Sequence, residues 1–427
     1  MKKLLMIKLR ILSRLVLLRC KPYVIGITGS IGKTSAKEAL ELVLSSKYRV
    51  RSTYKNYNNE IGLPLTIIGS TSKGKNIFSW FLVFIKAIYI IIFKPKSYPD
   101  VLVLEMGVDK PGDLDYLCKI AKPSIGIVTS VSYAHIEFFG SLGEIKKEKE
   151  ALIRSLDSSG TAILNYDNEL SKDMSRASKA KVLSYGIDKQ ADLVAQDIKY
   201  NVERGDYELI GINYKLNYKG SIVPVFMKNA VSKGAIYAGL AAAAVALELD
   251  LNLVDVAKSL ESYSLPRGRM NVLSGINNSF IIDDSYNSSP EACISALNVL
   301  ASIKLESGAN KYAVLGDMLE IGSYSKEGHR QVGEKVAKNE IDYLYTIGNF
   351  SEETNSAARK GGLKAENIRH FSDTKELSSF LVSRLGPGDV VLVKGSQGMR
   401  MERVVKELII EKERASELLV RQEKIWS

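Results

Sequence analysis

Cysteine is scarce in this chain of 427 residues, and its scarcity excludes two classes of protein. Cys20, Cys118 and Cys293 stand far apart and are odd in number. They form neither a disulfide framework nor a zinc spacing, and a reducing cytosol fits them. Histidine is equally rare, with three residues. No helix-turn-helix, zinc-finger or RNA-recognition signature is present. No internal repeat is visible, so a solenoid is excluded. Long apolar runs are also missing. The longest, Ile77–Phe93, is short for a membrane span and carries Lys86 near its middle. It is expected as a buried or interfacial helix. The first twenty-one residues are basic and apolar, but Lys8, Arg10 and Arg14 interrupt them and no small-residue cleavage site follows. They read as a basic amphipathic helix that either packs on the protein or lies on an anionic membrane.

What is present is the composition of a globular protein, 45% hydrophobic and 25% charged. The length exceeds one ordinary core, so two or three domains are expected. The net charge of +11 and a pI near 9.2 admit nucleic acid, an anionic membrane face or anionic substrates. Many basic residues alternate with acidic ones, as on solvated helix faces, which weakens the nucleic-acid reading.

The strongest local signal is Gly26-Ile-Thr-Gly-Ser-Ile-Gly-Lys-Thr34, directly after the apolar run Tyr23-Val24-Ile25. Its glycines let backbone amides turn around phosphate oxygens. Lys33 adds a point charge, and Thr34 offers a hydroxyl to Mg²⁺. The helix that follows aims its positive end at the same anion. The spacing departs by one residue from the standard Walker A form. Gly29, Ser30, Gly32, Lys33, Thr34 and Ser35 are the expected nucleotide-binding residues.

Strands and helices alternate along the chain, so the fold class is α/β with mostly parallel sheets. Strands are expected near Tyr23–Ile27, Val101–Leu104, Ile125–Val128, Thr161–Leu164 and Lys181–Tyr185, then in the alternating run Tyr207–Val225. An alanine-rich helix, Ser232–Leu249, offers a close-packing face. The segment Ser264–Arg269 reads as a hinge. A second α/β unit then places strands at Phe280–Asp283, Tyr312–Leu315, Tyr343–Ile347, Ile368–Phe371 and Val390–Lys394.

Polar residues cluster just past several of these strands, where parallel sheets bind ligands. Glu105 is a Mg²⁺ ligand candidate, and His135 follows the next strand. In the second unit Asp283–Pro290, Gly316–Glu320 and Lys394–Gly398 occupy equivalent positions. Three such ends would line one edge. Lys149 lies in Lys146-Lys-Glu-Lys-Glu150, which on composition alone is a solvated helix face.

Taken together, the chain resembles the Mur ligases. The motifs are Thr28-Gly-Ser-Ile-Gly-Lys-Thr34, Asn58-Asn-Glu-Ile-Gly-Leu-Pro64, Leu104-Glu-Met-Gly107, Ala134-His-Ile-Glu137, Gly268-Arg-Met270, Asp283-Asp-Ser-Tyr-Asn-Ser-Ser-Pro290, Gly316-Asp-Met-Leu-Glu-Ile-Gly322 with His329, and Lys394-Gly-Ser-Gln-Gly-Met-Arg400. The last three favour the branch that adds D-alanyl-D-alanine to a muramoyl-tripeptide. The resemblance implies a central ATP-binding domain of phosphate-loop type over 22–265, with an apolar insert at 77–93. A Rossmann-like α/β domain over 266–427 would follow. It implies ATP and Mg²⁺, a UDP-MurNAc-peptide acceptor, D-Ala-D-Ala as the amine, and an acyl-phosphate intermediate.

By the same resemblance Lys33, Glu105, His135 and Lys149 are catalytic. Thr34, Glu105, His135 and a CO₂-carbamoylated Lys149 serve metal ions, Asn287 and Asp317 contact the nucleoside, and Arg269, His329, Lys394 and Ser396 lie near the closing site. The chain departs from the family pattern in three places. About twenty residues precede the nucleotide strand where the family carries a UDP-sugar domain, Gly234 stands where a histidine is frequent, and the insert 77–93 is unusual. Three alternatives stay open: a sister Mur-type or folylpolyglutamate-type ligase with another amino acid, a lipid-linked acceptor, or a nucleotide-regulated cell-wall scaffold. The scaffold reading expects decayed metal ligands, yet Glu105, His135 and Lys149 are all present. Cytoplasmic location is expected, with peripheral contact at the inner membrane face through 1–20 and 77–93 as its sharper form.

Overall fold

Residue alternation in the first strands sets the architecture. In the computed structural model, which describes residues 2–422 except 55–56, 72–76, 134–135, 188–190, 203–209, 229 and 231, two sheets form. The first contains β1 (Tyr23–Thr28), β2 (Val50–Ser52), β3 (Val101–Glu105), β4 (Ile125–Val128), β5 (Thr161–Asn165), β6 (Lys181–Gly186), β7 (Leu193–Val202), β8 (Ile210–Tyr218) and β9 (Ser221–Lys228). Their spatial order is β2-β3-β1-β4-β5-β6-β7-β8-β9. Pairing is parallel from β2 through β7 and antiparallel across β7, β8 and β9.

Within β3 every residue is buried, because helices cover both faces of the sheet. Successive side chains point to opposite faces. Val101 and Val103 accordingly join a core with the helices Lys33–Leu44 and Lys233–Glu248. Leu102 and Leu104 join a second core under the helices Lys2–Cys20, Gly62–Ile68, Ile77–Phe93, Asp113–Ile120 and Leu142–Arg154. The expected small-residue face is there: Ala241, Ala242, Ala243 and Ala244 are all fully buried.

The second sheet contains β10 (Asn271–Ser274), β11 (Phe280–Asp284), β12 (Lys311–Gly316), β13 (Tyr343–Ile347), β14 (Ile368–Phe371) and β15 (Val390–Lys394), in the order β10-β11-β15-β12-β13-β14. All pairs are parallel except β10 with β11. The α/β class and the mostly parallel sheets are as the sequence predicts.

Three strands were not legible. β2 is three residues long, β10 is four, and β7 is broken by a bulge between Gln196 and Lys199. The alternating run expected as one segment is two strands, β8 and β9. They are joined at Lys219-Gly220, both with positive φ (50° and 86°). Residues 207–209 of that run lie outside the described residues.

One reading needs correction. The helix Leu142–Arg154 is not a wholly solvated face at Lys149. Ile145, Glu148, Lys149 and Leu152 point inward at helical spacing, while Lys146, Lys147 and Glu150 point outward. Composition hides this because both faces of the turn carry charges.

Candidate active site

A cleft of about 630 Å³ lies where the C-terminal ends of β1, β3 and β4 meet those of β11 and β15. Ligands bind parallel sheets at such edges. The phosphate loop forms one wall. Gly29 (φ 147°) and Gly32 (φ 88°) hold conformations that L residues rarely adopt. A Cβ on Gly29 would fall 1.9 Å from Thr129 Oγ1. Gly32 caps the helix Lys33–Leu44 without a side-chain hydrogen bond, so the first amides of that helix stay available to an anion.

The loop is tied to the end of β4. Ser30 N donates to Ser130 O (2.8 Å), Ile31 N to Ser130 Oγ (3.2 Å), and Thr129 Oγ1 to Ile31 O (2.6 Å). Sequence reading gave Thr129 and Ser130 no role; their signal was only a polar strand end.

Lys33 Nζ folds back and donates to Gly29 O at 2.7 Å. Burial pushes its pKa down, the Glu105 carboxylate opposes this, and the Arg269 guanidinium adds to it. Thr34 Oγ1 donates to Glu105 Oε2 at 3.1 Å, and Glu105 is buried at the end of β3. Lys149 is buried, its pKa pushed down to about 7 by desolvation and then by the Lys33 charge. Neighbouring Glu148 is spent elsewhere, accepting from Gly112 N and Leu114 N at 2.8 Å. His135 lies outside the described residues.

The opposite wall comes from the second unit. Arg269 lies with its guanidinium 4.2 Å from the Tyr286 ring centroid, and both residues line the cleft with Asn287. Lys394 and Ser396 reach the same wall but are engaged. Lys394 Nζ pairs with Asp284 Oδ2 at 2.6 Å and donates to Asn287 O at 2.8 Å. Ser396 Oγ accepts from Leu319 N at 2.8 Å.

Asp317 and His329 stand behind this wall. Asp317 accepts from Phe350 N at 3.1 Å. His329 Nδ1 lies 2.8 Å from Ser325 O, and Nε2 accepts from Met318 N at 3.0 Å. A ring that donates on one nitrogen and accepts on the other is neutral, in keeping with a pKa lowered by burial. Two further features carried no role in the sequence reading. Asn58 lines the cleft, its carbonyl accepting from Gly107 N at 3.0 Å. Tyr133 and Tyr324 stack across the two units with centroids 4.9 Å apart.

The Mur ligase middle-domain model matches residues 27–78 and 89–245, and the Mur ligase glutamate-ligase-domain model matches 268–397. The UDP-N-acetylmuramoyl-tripeptide–D-alanyl-D-alanine ligase of Synechocystis is 31% identical over 91% of this chain and 75% of its own length. This chain belongs to the Mur ligase family.

The Bacillus subtilis enzyme of the same name is 29% identical, over 90% of this chain and 76% of its own. The solved MurF ligase of Thermotoga maritima, in complex with ADP, superposes with a TM-score of 0.77 at 30% identity. That match covers 96% of this chain and 84% of the other. This Mur ligase is therefore an ATP-dependent ligase that uses ATP and Mg²⁺. The family-model match breaks off at 78 and resumes at 89, inside the helix Ile77–Phe93.

Proposed function

We propose that this ligase joins D-alanyl-D-alanine to the carboxylate of a UDP-MurNAc-tripeptide in peptidoglycan precursor synthesis. One observation carries the reading: a single cleft holds the phosphate loop with Glu105 on one wall and Arg269, Tyr286 and Asn287 on the other. Relatives with that substrate pair in their names align over most of the chain.

The chemistry follows from the residues. Loop amides and Lys33 take up charge on the γ-phosphoryl group as it passes to a carboxylate oxygen, giving an acyl phosphate and ADP. The amine then attacks the acyl carbon, loses a proton, and phosphate leaves from the tetrahedral intermediate. The Thr34 hydroxyl and the buried Glu105 carboxylate, 3.1 Å apart, are hard oxygen donors that would suit Mg²⁺, with His135 and the carbamate oxygens of a carbamoylated Lys149 as further ligands. An ion held by these residues would supply positive charge to offset that of the phosphates. Lys149, held near neutrality, is the nucleophilic amine a carbamate requires. Arg269 faces the transferred group and Asn287 the nucleoside, while Asp317, engaged behind the wall, supports that side by holding Phe350 N. Lys394, Ser396 and His329 position the second wall. The units divide at the hinge near Pro266, one over 22–265 and the other over 266–427.

Phosphate release with ATP, UDP-MurNAc-tripeptide and D-Ala-D-Ala, each omitted in turn, tests the reading. Release that needs both acceptor and dipeptide supports it. Release with a different amino acid, or with a lipid-linked acceptor alone, replaces it with a sister activity.

We also propose a cytoplasmic enzyme in peripheral contact with the inner membrane face through 1–20 and 77–93. Among the described residues no helix is long and apolar enough to cross a membrane.

A further inference from the structure

The helices Lys2–Cys20 and Ile77–Phe93 pack against each other, and Arg19 Nε donates to Ile91 O at 3.0 Å. Each spends one face on the protein. Leu9 and Val16 are fully buried on the first, and Val83, Ala87 and Ile90 are buried on the second. The opposite faces are apolar too. On the first helix Leu4, Ile7, Ile11, Leu15 and Leu18 recur at three- and four-residue steps, and all are exposed, Leu18 by 69%. On the second, Phe81, Ile85, Ile88 and Ile92 do the same, with Leu82, Tyr89 and Phe93 exposed beside them, Phe93 by 66%. Among the described residues, twelve of the twenty-one large hydrophobic side chains that are exposed belong to these two helices. Scattered exposed leucines need no explanation; a concentration of this kind marks an interaction surface.

Charge decides what covers it. Neither helix contains an acidic residue. Lys8 and Arg14, both exposed, fall on opposite flanks of the first stripe, and Lys94 and Lys96 follow the second helix. A second copy seated on this face would bring like charges together. An anionic bilayer matches both parts: acyl chains take the stripes and headgroups take the flanking cations. Both apolar faces also lie largely outside the family-model matches, since the first helix precedes residue 27 and the match skips 79–88. The family's catalytic core therefore does not account for them.

We propose that these two helices lie in the headgroup region of an anionic lipid bilayer and dock the ligase there. The inference names the lipid class for the peripheral contact proposed above and rests on that reading.

The test is flotation of the full chain with phosphatidylglycerol–phosphatidylcholine vesicles and with phosphatidylcholine vesicles, at low and high salt. Binding to the anionic vesicles, weakened by salt, is the expected result. Reversing Lys8 and Arg14 together to Glu lowers the bound fraction about tenfold or more. Ile11→Glu with Ile88→Glu abolishes binding. Both variants keep the melting temperature and ATP turnover, because these side chains are exposed and remote from the phosphate loop. Equal, salt-insensitive binding to neutral vesicles overturns the anionic-lipid inference and leaves peripheral contact standing. No binding to either vesicle overturns both. A stable dimer in light scattering that the Ile11→Glu/Ile88→Glu pair dissociates assigns the face to a second copy and overturns the inference.

Discussion

Two lysines are proposed to take opposite parts in the chemistry. Lys33 sits on the loop, folded onto Gly29 O and set against Glu105, ready to turn toward a phosphate. Lys33→Ala is expected to lower ATP turnover by roughly 10²–10³-fold, the scale of one lost charge-stabilising donor, with the melting temperature unchanged. Lys149 has no ion-pair partner among the described residues and sits where charge is costly. Its pKa falls from 10.5 to about 7. Below pH 7 it is charged in both folded and unfolded states, and the fold bears the whole penalty. Between about pH 7 and 10.5 the unfolded chain binds a proton that the folded chain does not, so stability rises with pH. The melting temperature should therefore climb between pH 7 and 9, and Lys149→Met should flatten that climb. Lys149→Ala should lose turnover and regain it with formate or acetate, which replace the carbamate oxygens; full activity without rescue removes that role. The residue types at this site were legible in the sequence, but the burial of Lys149 was not. A run of alternating charges looks solvated until the helix is seen to turn Ile145, Glu148, Lys149 and Leu152 inward.

At the scale of elements, the phosphate loop works because its neighbours allow no other path. Gly29 closes against Thr129, and the β4 end fixes Ser30 and Ile31 by hydrogen bonds. Gly29→Ala combines a forbidden φ with a 1.9 Å clash, so nucleotide-dependent turnover should disappear while the circular dichroism spectrum is kept. Retained turnover would show that the loop has room the structure does not. Strands buried on both faces, such as β3, announce themselves as continuous apolar runs, which is why most of the parallel part of the first sheet was legible, the short half-buried β2 excepted. Its antiparallel margin was not: β7 contains a bulge, and the β8–β9 turn is Lys-Gly, a weak hairpin signal. His329 shows the same limit. Its position in a motif says nothing of direction, and the ring points inward to hold Met318 N.

For the whole molecule, the decisive fact is that two sheets present their C-terminal ends to one cleft. The first wall carries the loop proposed to handle the phosphates. The second brings Arg269, whose charge is felt at both Lys33 and Asp284. The stack of Tyr133 on Tyr324 joins the walls, a contact between residues far apart in sequence that no local pattern encodes. The two helices proposed to face lipid lie largely outside both family-model matches, so docking and catalysis should be separable by mutation. The central claim is that this cleft passes the γ-phosphoryl group of ATP to a carboxylate. The most direct measurement uses an acceptor peptide whose reacting carboxylate carries heavy oxygen, with mass analysis of the phosphate released during ligation. Phosphate containing one heavy oxygen atom is the expected result, since that atom leaves with the acyl phosphate. Unlabelled phosphate, formed at the same rate with ligation complete, would contradict it.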